Sequence, residues 1–431
     1  MTGVYPSECD SFCNATVWDG SHPTWGARLR DAGYDCRATG KMDLNDDFDT
    51  GFAEFKTSHN HRRAPAVPSF FRQPLCYIMG ERPGVNGSVR HEAHPDASRA
   101  QTALDFILNE SGALTTPWAY YVGFVLPHPP FSALGKYYHM YPKDQMDLPN
   151  IPAGYLENQH LAYQALRHYK RISTPIPAAR TRRARAAYYA MLSELDDYIG
   201  RLWDALEQTG QLKNTIFVYT SDHGETLGEH GLWYKSNLYD YAARVPLIIA
   251  GGGLPQGRVV SHPVGHVDFV YTLLELAGAQ RDTSLRGISL LPLIHRKPGT
   301  RPEFAYSESH CAGNCTGSFM IRKGDWKYIQ FCYYDAMLFN LAQDPGELRN
   351  RIDDPTVSDV RDELKNTLYG LVDPEEITMR AFQKQKDMLR NMAAQLTEDE
   401  LYTKFEKTLG AGQARMLAMQ CKRANLQQGW G

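Results

Sequence analysis

The stretch YTSDHGETLGEHGLWYKSNLYD, residues 219–240, gathers two His, a Lys and several carboxylates directly after the apolar run TIFV at 215–218. In parallel α/β sheets, reactive groups collect at the carboxyl ends of strands, where loops place polar side chains at the sheet edge. Asp222 and His223 stand at such an end. A carboxylate oxygen is a hard ligand and an imidazole adds a nitrogen, so the pair suits a divalent cation. Gly224 lets the backbone turn sharply away. Lys235, twelve residues after His223, returns a positive charge to the same neighbourhood, as a bound anion requires. Taken alone, SDHG reads better as a surface turn in which Asp and Gly supply the geometry.

The elements that must position these residues follow from apolar periodicity. Residues 24–32 read as a helix, and after Gly33 a strand runs to Gly40. Residues 100–108 read as a helix, and AYYVGFVL (119–126) as a strand covered on both faces. From 187 to 206, Tyr188, Met191, Leu195, Tyr198, Leu202 and Leu206 recur at helical spacing until Gly210. TIFVYT (215–220) and VPLIIA (245–250) read as strands and 269–277 as a helix. This alternation predicts an α/β domain with a mostly parallel central sheet flanked by helices. After Pro302 the strands become closely spaced, with turn signals at 323–325 and 344–346, which predicts a small antiparallel subdomain. Beyond Asp373 the chain is charged and Met-rich at helical spacing, a peripheral helical tail that is also expected to serve self-association. The boundaries expected are 1–300, 301–370 and 371–431.

Composition limits the alternatives. A chain of 431 residues with 42% hydrophobic and 11% aromatic content buries a large core and is not a small binding module. A formal charge of −3 excludes a globally basic nucleic-acid binder, and the basic stretch RHYKRISTPIPAARTRRAR (167–185) reads as a solvated loop leading into the long helix. No run of about 18 apolar residues predicts a membrane span, and residues 1–20 lack a signal-type apolar run. The eight Cys form no CxxC metal pairs; Cys9 with Cys13 and Cys311 with Cys315 are within bonding reach in sequence, and buried free thiols are an equal reading.

The 221–253 segment, SDHGETLGEHGLWYKSNLYDYAARVPLIIAGGG, closely resembles a signature region of the sulfatase family, within the alkaline-phosphatase-like superfamily. MTGVYP (1–6), PTWGARLRDAGYDCRATGKM (23–42), LPHPPF (126–131), AYYAMLSELDDYIGRLWDALEQTG (187–210), GHVDFVYTLLELAG (265–278) and LFNLAQDPGELRN (338–350) resemble further family segments in the right order. Ordered matches over residues 1–354 are more specific than any one of them. The resemblance implies that Asp222 and His223 bind a catalytic divalent cation, Ca²⁺ ahead of Mn²⁺. It implies that Lys235 contacts the sulfate and leaving-group oxygens and Lys41 the sulfate and nucleophile. His128 becomes the hydrogen-bond donor or general acid on the leaving side. Negative charge builds on the leaving oxygen as a sulfate ester breaks, and such groups stabilise it.

Two departures stand beside the resemblance. The family usually places a His two positions after the Lys of the GK motif, where this chain has Asp43; His59 or His61 is a candidate to take its place, which sequence alone does not decide. The family's nucleophile, a formylglycine made from Cys or Ser in C/S-x-P-x-R, has no counterpart in these residues, and neither does an earlier Asp-Asp pair. The expectation is therefore an N-terminally incomplete sulfatase, inactive alone, whose parent hydrolyses a sulfate monoester. The alternatives are a phosphonate monoester or phosphodiester hydrolase of the same superfamily, or a pseudoenzyme. FSALGKYYHMYPKDQMDLP (131–149) and FMIRKGDWKYI (319–329) resemble the branch with choline and glycan sulfatases, so a small-molecule or glycan sulfate ester is the expected partner, with no nucleic acid.

Overall fold

Thr24 begins the first helix by accepting from the Ala27 amide at 3.1 Å, which satisfies one of the free amides of a helix start. Helix α1 (Trp25–Asp31) buries Trp25, Ala27 and Leu29 and delivers the chain into β1 (Asp35–Gly40). The computed structural model describes residues 1–13, 16, 18–44, 47–56, 84–280, 284–299, 301–310 and 312–426. Strand β1 is the centre of a three-stranded parallel sheet, between β2 (Glu54–Lys56) and β4 (Trp118–Gly123). A second parallel pair joins β3 (Ser88–Arg90) to β5 (Ser132–Leu134). Helix α2 (Pro95–Asp105) opens on Pro95 with His94 as its cap.

Strand β4 stops at Gly123, short of the apolar run's end at Leu126, and its side chains are mostly half-buried. The reason is local: the buried carboxylate of Asp96 takes the amides of Val125 at 2.8 Å and Leu126 at 2.7 Å, drawing the chain out of the ladder. Full coverage fails because β1 is the sole ladder partner of β4 among the described residues.

Helix α3 (Leu161–Tyr169) precedes α4 (Ala178–Gln208), whose Ala184, Ala187, Ala190, Met191, Leu195 and Tyr198 enter the largest core cluster with Phe131 and Trp233. The helix begins nine residues before its apolar period does. Its first two turns are rich in Arg, and the reading of 167–185 as a solvated loop is corrected: 167–169 end α3, 178–185 open α4, and Arg167, Lys170 and Arg185 are buried. Arg185 pairs with Asp147 at 2.9 Å and Glu229 at 3.1 Å, and Arg167 donates to the Ser173 carbonyl at 2.9 Å.

Strand β6 (Ile216–Thr220) pairs antiparallel with β7 (Leu247–Gly251), a two-stranded ribbon separate from the parallel sheet among the described residues. Helix α5 (His266–Leu276) packs Val270 and Leu274 with Trp25, Leu29 and Cys36. The C-terminal sheet is antiparallel in the order β11-β10-β9-β8, built from β8 (Phe304–Ser309), β9 (Ser318–Lys323), β10 (Trp326–Phe331) and β11 (Met337–Asn340). Helices α6 (Ser358–Leu371) and α7 (Pro374–Gln395) cover one of its faces, through Leu364, Leu368, Ile377 and Ala381. The end of α7 forms a cluster of its own with α8 (Glu398–Leu409) and α9 (Ala411–Leu426). The molecule is thus α/β in class, with a C-terminal antiparallel sheet. No described helix is long and apolar enough to cross a membrane. No disulfide joins Cys9 to Cys13, and Cys311, the expected partner of Cys315, lies outside the described residues.

One buried charge ties the C-terminal sheet to the stretch that carries Asp222 and Lys235. Lys327 on β10 is fully buried; it pairs with Glu347 at 2.7 Å and with Asp240, and donates to the Leu238 carbonyl at 3.1 Å. Glu347 also accepts from the Asp240 amide at 2.6 Å. Removing the cation strands the buried Glu347 carboxylate and leaves the half-buried Asp240 without its ion pair, so Lys327→Met should cost about 3–5 kcal/mol in urea unfolding. The double variant Lys327→Met/Glu347→Gln should recover part of that loss.

Candidate functional site

Lys41 is placed by two glycines. Gly40 ends β1 at φ +91°, and a Cβ there would lie 2.1 Å from the Gly123 carbonyl oxygen. A Cβ on Gly123 would lie 1.9 Å from the Lys41 carbonyl oxygen. Only bare backbone permits this approach, and it lets the Lys41 amide donate to Gly123 at 2.7 Å. The Tyr121 hydroxyl donates to the Lys41 carbonyl at 3.1 Å from below.

Asp222 and His223 follow β6 directly. The Ser221 hydroxyl donates to the His223 carbonyl at 2.9 Å, and Gly224 donates to the Ala242 carbonyl at 2.8 Å. A Cβ on Gly224 would lie 2.2 Å from the Tyr241 carbonyl oxygen, so the sharp turn read from its sequence has a steric reason. His223 Nδ1 sits 2.8 Å from the Gly224 carbonyl, which makes Nδ1 the donor and leaves Nε2 with a free lone pair 3.6 Å from Asp222.

His128 leaves the sheet in the loop after β4. Its Nδ1 donates to the Pro129 carbonyl at 2.7 Å, and its Nε2 stands 3.0 Å from the Lys235 ammonium. Lys41 Nζ lies 3.7 Å from Asp222 and 3.5 Å from Asp43. The five residues singled out in the sequence therefore form two linked groups, Lys41 with Asp222 and His223, and Lys235 with His128. Asp43 is Lys41's second carboxylate. His59 and His61 lie outside the described residues.

The electrostatics follow from crowding cations at a partly dry site. Desolvation pushes the His128 imidazole down to about 4, and Lys235, Lys41 and His223 push the same way. His223 is likewise lowered, by desolvation and then by Lys235 and Lys41 against the pull of Asp222. Desolvation acts to raise Asp222, yet His223, Lys41 and Lys235 together hold it below the usual carboxylate range. Desolvation, then Asp222 and Asp43, push the Tyr121 hydroxyl up to about 12. At neutral pH the site thus offers an ionised carboxylate, two neutral imidazoles and the side chains of two lysines. His128 accepts from Lys235 here, so a proton reaching an oxygen bound at this end comes from the Lys235 ammonium or through it.

A divalent cation does not find a complete set of ligands in these residues. Asp222 and His223 supply two donors, whereas Ca²⁺ takes six to eight oxygens. Among the described residues no three or more His, Cys, Asp or Glu converge as a metal group, and the Asp222 side chain is 66% exposed.

Sequence spacing missed two residues beneath the site. Lys170 is buried and donates to the Lys235 carbonyl at 2.7 Å, and Glu225 accepts from the Tyr234 amide at 2.5 Å. Lys170 carried no signal, being far from Lys235 in sequence. Glu225 stood inside the quoted stretch without a role.

Residues 1–279 match the sulfatase family model, which is more than half of the chain. The chain belongs to the sulfatase family. Residues 228–374 also match the family model of the N-sulphoglucosamine sulphohydrolase C-terminal region. Over 387 residues this sulfatase-family chain is 32% identical to arylsulfatase K of Danio rerio, covering 82% of this chain and 70% of that protein. Over 378 residues it is 31% identical to the choline-sulfatase of Rhizobium meliloti, covering 82% and 72%. Phosphonate monoester hydrolases from Silicibacter pomeroyi and Agrobacterium radiobacter share its fold. Each has a TM-score of 0.70, at 23% and 24% identity, covering 86% of this chain and 83% and 84% of theirs. The family and its named relatives support a hydrolase.

The sulfatase-family signature stretch also contains a buried base that senses acid. His230 is held by the Tyr155 hydroxyl at 2.6 Å and stacks on Tyr239 at 3.7 Å, and burial, with Lys327, pushes it down to about 3. An unfolded His titrates near 6.5, so between about pH 6.5 and 3 the unfolded chain binds the extra proton. The stabilisation is complete above that window and lost as pH falls through it. Urea midpoints measured from pH 7 to pH 4.5 should fall, and His230→Phe should remove up to about 1.4 kcal/mol per pH unit from that slope.

Proposed function

We propose that this chain builds the sulfate-binding and leaving-group side of a sulfuric ester hydrolase acting on a sulfate monoester. The observation that carries the reading is the convergence of Lys235 with His128 at 3.0 Å, beside Lys41 and Asp222 at 3.7 Å. A sulfate monoester presents one negative charge spread over three oxygens, and ammonium groups bind it through charge-assisted hydrogen bonds. As the bond between sulfur and the ester oxygen lengthens, charge moves onto that oxygen. Lys235 is the donor aimed at it, with His128 orienting the ammonium and available to exchange its proton. Lys41 takes the non-bridging oxygens, and Asp43 and Asp222 keep its ammonium at the sheet edge.

Asp222 and His223 are, in this reading, two ligands of one divalent cation, Ca²⁺ ahead of Mn²⁺. The described residues do not complete its shell, so no step is assigned to it. No C/S-x-P-x-R motif occurs in these residues, and no step is assigned to a formylglycine nucleophile. A small-molecule or glycan sulfate ester is the substrate class, in keeping with the arylsulfatase and choline-sulfatase names of the relatives.

The test is calorimetric titration of the chain with inorganic sulfate, together with turnover of 4-nitrophenyl sulfate and of a phosphonate monoester in Ca²⁺ or Mn²⁺. Lys41→Ala and Lys235→Ala should each weaken sulfate binding about tenfold, the loss of one charge-assisted contact. Sulfate affinity unchanged in both variants would sink the reading. Faster turnover of the phosphonate ester would reassign the substrate, whereas sulfate binding without turnover is the outcome expected of residues that carry no C/S-x-P-x-R motif.

A further inference from the structure

Lys235 is held in a costly stretch of backbone. Its neighbours Tyr234 and Ser236 have φ of +68° and +77°, in the left-handed region that non-glycine residues avoid at a cost of order 1–3 kcal/mol each. Such strain persists only where the surroundings over-determine it. Here the three carbonyls of the run 233–235 and the Tyr234 amide are all taken up. The Lys170 ammonium donates to the carbonyls of Lys235 at 2.7 Å and Trp233 at 3.3 Å, and lies 5.3 Å from the centre of the Tyr234 ring. Glu225 accepts from the Tyr234 amide at 2.5 Å and the Leu227 amide at 3.1 Å. Thr226 donates to the Tyr234 carbonyl through its hydroxyl at 2.6 Å and its amide at 3.0 Å, and Asn237 in turn donates to the Thr226 hydroxyl at 3.1 Å.

A cation takes the carbonyls of 233 and 235, and a carboxylate takes the intervening amide. Lys170 is 2% exposed, and an ammonium taken that far from water carries a desolvation penalty of several kcal/mol. An apolar side chain would fill the same volume without that penalty, so general core packing does not call for a lysine there. What the ammonium alone provides is a single point donor that reaches two carbonyls flanking one strained residue.

We propose that Lys170 is a positioning residue for the sulfate site: it fixes the backbone on both sides of Tyr234 so that the Lys235 ammonium stands against His128. Lys170 touches no substrate in this arrangement and acts through Lys235. The inference rests on the reading of Lys235 as a sulfate ligand, and its test separates the two.

Sulfate affinity is measured by calorimetry for the full chain and for Lys170→Met, Lys235→Ala and the double variant, with circular dichroism to verify folding. The His128 ring signal is followed by NMR in each. Lys170→Met should weaken sulfate binding about tenfold, and it should add no further loss in the Lys235→Ala background, because the two changes remove one contact. The His128 signal should move in Lys170→Met in the direction it moves in Lys235→Ala. A full second loss in the double variant, or unchanged affinity in Lys170→Met while Lys235→Ala is weakened, would overturn the positioning role and leave the sulfate reading intact. Should Lys235→Ala bind sulfate normally, the reading of Lys235 as a sulfate ligand falls, and an unmoved His128 signal in Lys170→Met then overturns the positioning role as well. If Lys170→Met does not fold, Lys170→Gln, which keeps a donor to one carbonyl, takes its place with the same outcomes.

Discussion

Like charges do not gather unaided, and holding Lys41 and Lys235 about one site, where both act on His128, is the constraint on which the rest of the architecture depends. In a partly dry environment their mutual repulsion acts at low effective dielectric and is poorly screened. The protein answers with fixed backbone and not with neutralisation. Carboxylates stand near Lys41 at 3.5 Å and 3.7 Å, beyond tight contact, so the charge is steadied without being quenched. His128 stays uncharged beside Lys235 because desolvation and the lysines both oppose a further proton. An anion entering this site replaces repulsion among the hosts with attraction to the guest.

Rigidity is supplied by close approach of bare backbone. Gly40, Gly123 and Gly224 each stand where a Cβ would meet a carbonyl oxygen, and each lies within a residue of a charged group or of the strand that delivers it. The two parallel strands end in register at Gly40 and Gly123, so Lys41 leaves the sheet level with the loop that carries His128. Side-chain freedom then begins only after the backbone has been aimed.

How much of this was legible depended on distance along the chain. Asp222, His223 and Gly224 are adjacent and follow an apolar strand, so their chemistry was readable from type and order alone. Lys41 and His128 are remote from them in sequence, and ordered family resemblance, with no local spacing, brought them in. The α/β class and the antiparallel C-terminal sheet were readable because apolar period and turn residues are local. The direction of β7 was not, since VPLIIA has the same pattern whichever way it runs. The buried state of Arg167, Lys170 and Arg185 was hidden for a related reason: their partners, such as Asp147, Glu229 and the Lys235 carbonyl, are long-range, and composition alone describes them as solvated.

The Lys327 contact has a consequence for how the molecule can be taken apart. Lys327 and Glu347 belong to the C-terminal sheet region, whereas Asp240 belongs to the stretch that ends beside Gly224, and the three share one buried charge system. The sheet is therefore not an interchangeable module hung on a finished catalytic scaffold. A chimera that borrows this sheet from another family member inherits the problem of matching its lysine and glutamate to Asp240 across the seam. Recombination should succeed where the crossover keeps all three together, and that places the natural unit of exchange on neither side of the boundary drawn by strand direction.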